Sequence, residues 1–420
     1  MMMLGLNSEA PQVMHIDLNS AFATTEQQAH RSLRGKPMGV TNRISKHCCV
    51  IAASYEAKDL GIRVGMRLDE ARAICPTFVI LETDPPKYHL AYQKLGTIMK
   101  SYSPNIAMKS IDEGIIDFHG TLETVHRGRS LEAIGYEIKQ RVKDDIGHWM
   151  RINIGIGPNR FLAKQAAGWH KPDGLDSLEA RNLLAYYETI ELSDLSGIAS
   201  HYSARLNAAN IFTPRQFLNA SSDTLRRLVF HSSVGDDWYR RLRGHEIDAN
   251  PTNFGNVGRQ WVLAQPSADA TYLLPCFQYL CETTGKKLRY QGRSARGIIV
   301  WCRFQTGDNW VQRKMFKSTF FTDSELYRRA LYLFNQRPKH LIIQTMGVTC
   351  YQLTASDRNQ TSLLETVNRE DWLTTAVDDI NDRYGTLKIF HANTLHGTKT
   401  VKQKIPFGGT RYFELLLKDA

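Results

Sequence analysis

Two acid-bearing strand ends, far apart in the chain, constrain its fold more than any other feature. Residues 13–18 (VMHIDL) read as a buried strand that breaks at Asn19-Ser20 into a helix over 21–31. Either Asn19 or Ser20 can cap that helix by accepting a hydrogen bond from an early helical amide. Residues 105–118 read as a hairpin that alternates up to Ser110, turns at Asp112-Glu113-Gly114 and returns through 115–118. Asp17 closes the first strand, and Asp112 with Glu113 sits at the hairpin tip, ninety-five positions later. An acid at a strand end is hard to bury without a cation, so a sheet joining these ends would make an oxygen-rich pocket suited to Mg²⁺. The local alternative is that Asp17 caps its helix and Asp112-Glu113 merely turn a hairpin.

The remaining pattern spreads over several domains. Strand-like 50–54 and a short helical stretch, 55–74, broken by Gly61 and Gly65, form a compact insert between the motifs. A helix over 131–144 and a strand over 152–156 continue an α/β sandwich. From Leu192 the chain turns to short helices punctuated by Gly and Pro, with Leu195-Ser196-Gly197-Ile198 first. Paired helices at a tight Gly turn can present backbone amides to a phosphate. After a polar linker over 249–258, the order is strand (258–263), helix (272–290), strands (297–304, 310–316), helix (323–335) and strand (341–353). One amphipathic helix, around 372–384, and a polar tail follow.

Composition narrows the class. The 420 residues, 42% of them hydrophobic, are enough for two to four packed domains at roughly 150 residues each. A formal charge of +11 favours a polyanionic partner. The surplus is local, because residues 255–354 hold 14 Lys or Arg against 5 Asp or Glu, whereas 355–420 hold 9 of each. Seven cysteines without a CxxC pair argue against a disulfide framework or zinc ribbon and suit a reducing cytosol. The first twelve residues lack the pattern of an export signal, and no apolar run nears the roughly 20 residues that span a bilayer, so no membrane role is expected.

Five motifs, HIDLNSAFATTEQ (15–27), AASYEAKDLGIRVGM (52–66), KSIDEGIIDF (109–118), GIGPNRFLAKQAAGWHKPDG (155–174) and VDDINDRYG (377–385), resemble those of Y-family translesion DNA polymerases of the bacterial polymerase IV and polymerase V catalytic-subunit kind. The resemblance runs over nearly the whole chain. It implies an α+β multi-domain, right-hand polymerase: a palm with a ferredoxin-like sheet (1–20 and 84–173), small fingers (21–83), a helix-hairpin-helix thumb (174–248), an α/β little finger (255–354) and a C-terminal extension (355–420). The implied activity is low-fidelity, template-directed transfer of nucleotides from dNTP to a primer 3′-hydroxyl. A catalytically silent DNA-binding accessory protein of DNA repair is the alternative, and retention of all three acids speaks against it. Primer-template DNA and dNTP are the implied partners, with a monomer in the cytoplasm, at the nucleoid, as the setting.

Residue by residue, the resemblance implies that Asp17 and Asp112 bridge two Mg²⁺, which Mn²⁺ can replace, that Glu113 completes the site, and that the Leu18 carbonyl adds a ligand. Phosphoryl transfer independently asks for clustered hard oxygens. Arg160, Lys164 and Lys171 fall within about 40° of one another if the helix after Gly157-Pro158-Asn159 continues at about 100° per residue, so all three could face one triphosphate. The resemblance gives Lys171 the main role there. Tyr55 and Lys58, one turn apart, are implied contacts to the β- and γ-phosphates. Lys58 stands where many members carry Arg, and a lysine lacks the bidentate fork. Phe22 occupies the steric-gate position against the sugar C2′, and Cys49 and Ile51 are candidate roof residues over the nascent pair. Gly197 marks the thumb turn, though Ala199 or Ser200 replaces a second Gly. Arg259, Arg293, Arg296, Arg303, Arg313, Lys314 and Lys317 are candidate phosphate contacts in the little finger. Gln360, Leu363 and Leu364 resemble a short sliding-clamp-binding peptide, with Leu364 in place of the usual final Phe.

Overall fold

The computed structural model describes residues 5–45, 48–124, 126–249, 255–355, 365–385 and 387–401. The described chain divides into two compact units, 5–249 and 255–401.

The first unit carries eight strands: β1 (Val13–Leu18), β2 (Met38–Thr41), β3 (Ala52–Ala53), β4 (Val79–Glu82), β5 (Ile106–Met108), β6 (Glu113–Asp117), β7 (Ile152–Gly157) and β8 (Leu175–Ser177). Five of them form one sheet in the order β5-β6-β1-β7-β8. β1 lies in the middle, antiparallel to both β6 and β7, which is how the two acid motifs come to adjoin. Its period-2 alternation sorts the side chains. Met14, Ile16 and Leu18 enter a core with Leu95, Ile98, Ile134 and Ile138 from the helices Pro85–Lys100 and Leu131–Arg141. Val13, His15 and Asp17 take the other face. There the helix Arg160–Trp169 lies so close to β7 that a Cβ on Gly155 would meet the Ala163 carbonyl oxygen at 2.0 Å. Glycine at this position lets helix and sheet touch backbone to backbone.

A separate three-stranded sheet, β3-β2-β4, has its own core of Val50, Ala57, Ile62, Leu68 and Phe78, matching the compact insert. The short helices after Ala180 pack around Leu195, Leu206, Phe217 and Trp238. Phe161, Leu162 and Ala166 join that same core, so it crosses the expected palm–thumb boundary at 173/174.

The second unit is a β-α-β-β-α-β module: β9 (Asn256–Ser267), helix Ala270–Tyr290, β10 (Arg293–Phe304), β11 (Asn309–Phe320), helix Asp323–Phe334 and β12 (Ile343–Ala355). Its antiparallel sheet runs β11-β10-β12-β9. The element order is the expected one, with longer strands. Ile298, Val300, Cys302, Met346, Val348 and Cys350 face the two helices. The helix Glu365–Tyr384 is held to this module by polar anchors, since Arg289 and Lys286 pair with Asp378 and Asp382. Trp372 on that helix is 69% exposed.

Two local expectations fail. Neither Asn19 nor Ser20 caps the helix Ala21–Ala29 with its side chain. Asn19 is engaged elsewhere, and Ser20, at φ 48°, accepts from the Lys58 ammonium at 2.7 Å. The helix after Asn159 ends at Trp169 and does not continue to Lys171. A residue before proline disfavours the α conformation, and Pro172 applies that rule to Lys171.

Candidate active site

Asp17 and Glu113 are register partners across β1 and β6, and the Leu18 amide donates to the Asp112 carbonyl at 2.8 Å. The acid ends of the two motifs are thus locked side by side by main-chain bonds. Asp112 sits in the turn before β6, where Ser110 Oγ donates to its Oδ1 and accepts from the Glu113 amide at 3.1 Å. Burial, reinforced by the Asp17 and Glu113 charges, raises the Asp112 carboxyl above the usual aspartate range. Burial also works to raise Glu113. Hydrogen bonds from His15 and Lys164 prevail and hold its carboxyl at about 2.

The cations divide among these acids. Lys164 Nζ donates to Glu113 Oε2 at 2.7 Å and to Oε1 at 3.0 Å, and His15 Nε2 lies 3.3 Å from Oε2. Lys171 Nζ donates to Asp17 Oδ2. Lys58 lies over the Tyr55 ring, 4.5 Å from its centroid, and its ammonium is held below the usual lysine range by burial and by the Lys171 charge. Burial and the Asp17 charge push the Tyr55 hydroxyl up to about 12. Lys58, Tyr55, Lys171 and Asp17 therefore share one electrostatic neighbourhood.

Arg160 does not belong to it. Its guanidinium pairs with Asp117 Oδ2 at 2.9 Å and with Glu246 Oε2 at 2.8 Å, tying β6 to the end of the helical region. The single stripe of three cations is therefore corrected to two lysines on two different acids, with Arg160 as a structural clamp. The Phe22 ring lies 4.5 Å from that of Tyr88, tilted by 31°, and packs against the cluster of Ala23, Met38, Val40 and Ala52. Ile51 packs in the same small cluster, while Cys49 is exposed and bridges Arg67.

As they stand, Glu113 is paired with Lys164 and Asp17 with Lys171, while Asp112 is held by Ser110. Among the described residues no group of three or more His, Cys, Asp or Glu side chains is drawn together in the arrangement of a metal site. The donor chemistry still suits a hard cation, because Asp17, Asp112, Glu113 and the Leu18 carbonyl offer only oxygen. Sequence reasoning missed His15, although its place two residues before Asp17 on a period-2 strand puts both on one face. Ser110 and Asn153 were missed too, and Asn153 is the β7 register partner of Asp17.

In the second unit, alternation leaves Ile299, Trp301, Arg303, Val311, Arg313 and Met315 on the sheet face away from the helices. Arg296 and Lys317 are exposed nearby, with Arg296 donating to the Lys317 carbonyl, and Arg293 begins β10 half-buried. Arg259 and Lys314 lie on the helix side of the sheet. Arg259 is the partner of core residue Val348, and the Lys314 ammonium lies 4.6 Å from the Tyr332 ring centroid. Gly197, at φ 98°, makes the turn before the helix Ser200–Ala208 and packs beneath Trp238. Gln360, Leu363 and Leu364 lie outside the described residues.

Residues 16–168 match the impB/mucB/samB family, and residues 256–363 match the C-terminal domain of the same family. The chain belongs to the impB/mucB/samB family. Asp17, Asp112 and Glu113 lie inside the first match, and the basic β-α-β-β-α-β module lies inside the second. Among curated members, the DNA polymerase IV of Pelotomaculum thermopropionicum is 28% identical over 403 residues, covering 93% of this chain and 97% of the relative. The DNA polymerase IV of Bacillus anthracis is 26% identical, covering 89% and 91%. Among solved structures, a Y-family DNA polymerase chimera of Dbh and Dpo4 superposes with a TM-score of 0.69 at 22% identity, covering 82% of this chain and 99% of that one. An insertion ternary complex of Dbh DNA polymerase gives 0.56 at 21%, covering 81% and 98%. The fold is that of the Y-family polymerases.

Proposed function

We propose that this chain is a template-directed DNA polymerase of the translesion type, adding nucleotides from dNTP to a primer 3′-hydroxyl. The observation that carries the reading is the meeting of Asp17, Asp112 and Glu113 with Lys58, Lys164 and Lys171 at one end of the five-stranded sheet. A nuclease could use the acids, but it would have no need of the surrounding ammonium groups. The polymerase IV names of relatives matched along nearly their full length support the same reading.

In this reading Asp17, Asp112, Glu113 and the Leu18 carbonyl hold two Mg²⁺ ions, for which Mn²⁺ can substitute. When bound, the ions supply charge neutralisation at the attacking oxygen and the leaving pyrophosphate. His15 and Lys164 keep Glu113 ionised and oriented. Lys171 and Lys58 exchange their present oxygen partners, Asp17 and Ser20, for triphosphate oxygens, with Tyr55 beside them. Phe22, braced by Tyr88, excludes a ribose 2′-hydroxyl. Residues 1–20 and 84–173 serve as palm, 21–83 as fingers, 174–248 as thumb and 255–354 as little finger. The thumb turn at Gly197 and the cationic sheet of the second unit hold primer-template DNA through its phosphates. A sliding-clamp contact through Gln360, Leu363 and Leu364, a monomeric state and a place at the cytoplasmic nucleoid complete the proposal.

Primer extension with Mg²⁺ on undamaged and lesion-bearing templates tests it. Wild type should extend both, and Asp112→Ala should lose activity by about a hundred- to a thousandfold, as expected when a group that stabilises developing charge is removed. Failure of wild type to incorporate any nucleotide returns the chain to the accessory-protein reading.

A further inference from the structure

Lys171 lies in a loop, not on a helix, so something other than helical geometry must set its position. The loop over 170–174 joins the helix Arg160–Trp169 to β8. Its backbone is tied on both sides of Lys171 to one pair of buried amides. Asn153, 0% exposed on β7, donates from Nδ2 to the His170 carbonyl at 3.1 Å. Asn19, 2% exposed just past β1, accepts on Oδ1 from the Asp173 amide at 2.9 Å. The two side chains complete the circuit, Asn19 Nδ2 donating to Asn153 Oδ1 at 2.9 Å.

The ladder admits one orientation only. The His170 carbonyl can only accept and the Asp173 amide can only donate, so each intervening side chain must offer one donor and one acceptor. An aspartate at either position would leave a link without a donor. Neither amide titrates, and their hydrogen bonds go to His170, Asp173 and each other rather than to Lys171 itself. Lys139 adds a second anchor to the same loop, pairing with Asp173 Oδ1 at 3.1 Å.

We propose that Asn19 and Asn153 are positioning residues, an amide clasp that holds the 170–174 loop so that Lys171 meets the triphosphate of an incoming nucleotide. This rests on the polymerase reading above. A free lysine would have to be ordered at each binding event, whereas a clasped loop has met that entropic cost during folding. The clasp therefore acts on nucleotide affinity more than on the chemical step.

The test is a double-mutant cycle in single-nucleotide primer extension, comparing wild type, Asn153→Ala, Lys171→Ala and the double variant across a dNTP titration. Asn153→Ala should raise the dNTP KM by about tenfold with kcat changed by less than about twofold. In the Lys171→Ala background the same substitution should have little further effect, because residues that act through one another are non-additive. Primer-template affinity should be unchanged. Multiplicative effects in the double variant, an unmoved KM, or a fall confined to kcat would each overturn the clasp. Should Asn153→Ala fail to fold, Asn153→Ser carries the same cycle. Absence of any extension by wild type sinks the polymerase reading and the clasp with it, whereas an active wild type with multiplicative variants sinks the clasp alone.

Discussion

Arg289→Met should release the helix Glu365–Tyr384 from the β-α-β-β-α-β module at neutral pH. The Arg289 side chain is 4% exposed, and all five of its N–H donors are used. Nε and Nη2 hold Asp378 at 2.5 and 2.8 Å, Nη1 and Nη2 hold Asp323 at 2.7 and 3.2 Å, and Nη1 also donates to the Phe321 carbonyl at 3.0 Å. Removing one partner of a buried pair leaves uncompensated charge, at a cost of about 3–5 kcal/mol. Here two carboxylates are left facing each other. Undocking the helix Glu365–Tyr384 relieves this, because that helix carries Asp378 away from Asp323. Amide hydrogen exchange in this helix should therefore accelerate by two orders of magnitude or more, about 1.4 kcal/mol per factor of ten. The pH dependence has a definite sign. Burial already raises Asp323 above its ordinary value against the opposing pull of Arg289, and loss of that pull raises it further. An acid whose folded pKa is raised stabilises the fold when protonated, and that contribution is lost as pH rises through the folded value. The penalty of the variant should thus shrink between pH 8 and pH 5, and Asp378→Asn in the variant background should recover much of it. Unchanged exchange in the helix at pH 8, or a penalty that grows on acidification, would refute the reasoning.

Three further outcomes follow from the placement of other side chains. Phe22→Ala should admit ribonucleotides in single-nucleotide insertion, while unaltered sugar discrimination would remove Phe22 from the gate. Arg303→Ala with Arg313→Ala should weaken DNA binding about equally across sequences and lower the slope of log K against log salt by about 2, measured by anisotropy at several salt concentrations. Arg259→Ala, on the helix side of the same sheet, should leave that slope alone. Gln360→Ala with Leu363→Ala should abolish clamp stimulation of synthesis without touching basal extension, and undiminished stimulation would dispose of the clamp peptide.

Much of the fold is legible in the sequence because it rests on local periodicity. The alternation in β1 assigns Met14, Ile16 and Leu18 to one face and His15 with Asp17 to the other. The second unit is readable in element order because its sheet buries one side against two helices, which gives part of β10 (298–302) a period-2 pattern. The end of the helix at Trp169 is also within reach, through Pro172 directly after Lys171, but a helix extended on angular spacing alone runs past that signal. Arg160 is different. Nothing near it in sequence indicates that Asp117 and Glu246, 43 and 86 positions away, will claim its guanidinium.

Residue type and short-range spacing settle which groups can do chemistry: three acids at strand ends, lysines after a glycine-rich strand, and a basic module beyond. Those properties are written in the chain before it folds. Which charges meet is a matter of packing. The β1–β6 and β1–β7 registers bring Asp17 opposite both Glu113 and Asn153, give Lys164 to Glu113 and Lys171 to Asp17, and close the Asn19–Asn153 ladder across 134 positions. Hydrogen bonds and ion pairs are short-ranged in space and indifferent to separation along the chain, so a partner is settled only when packing has set the register.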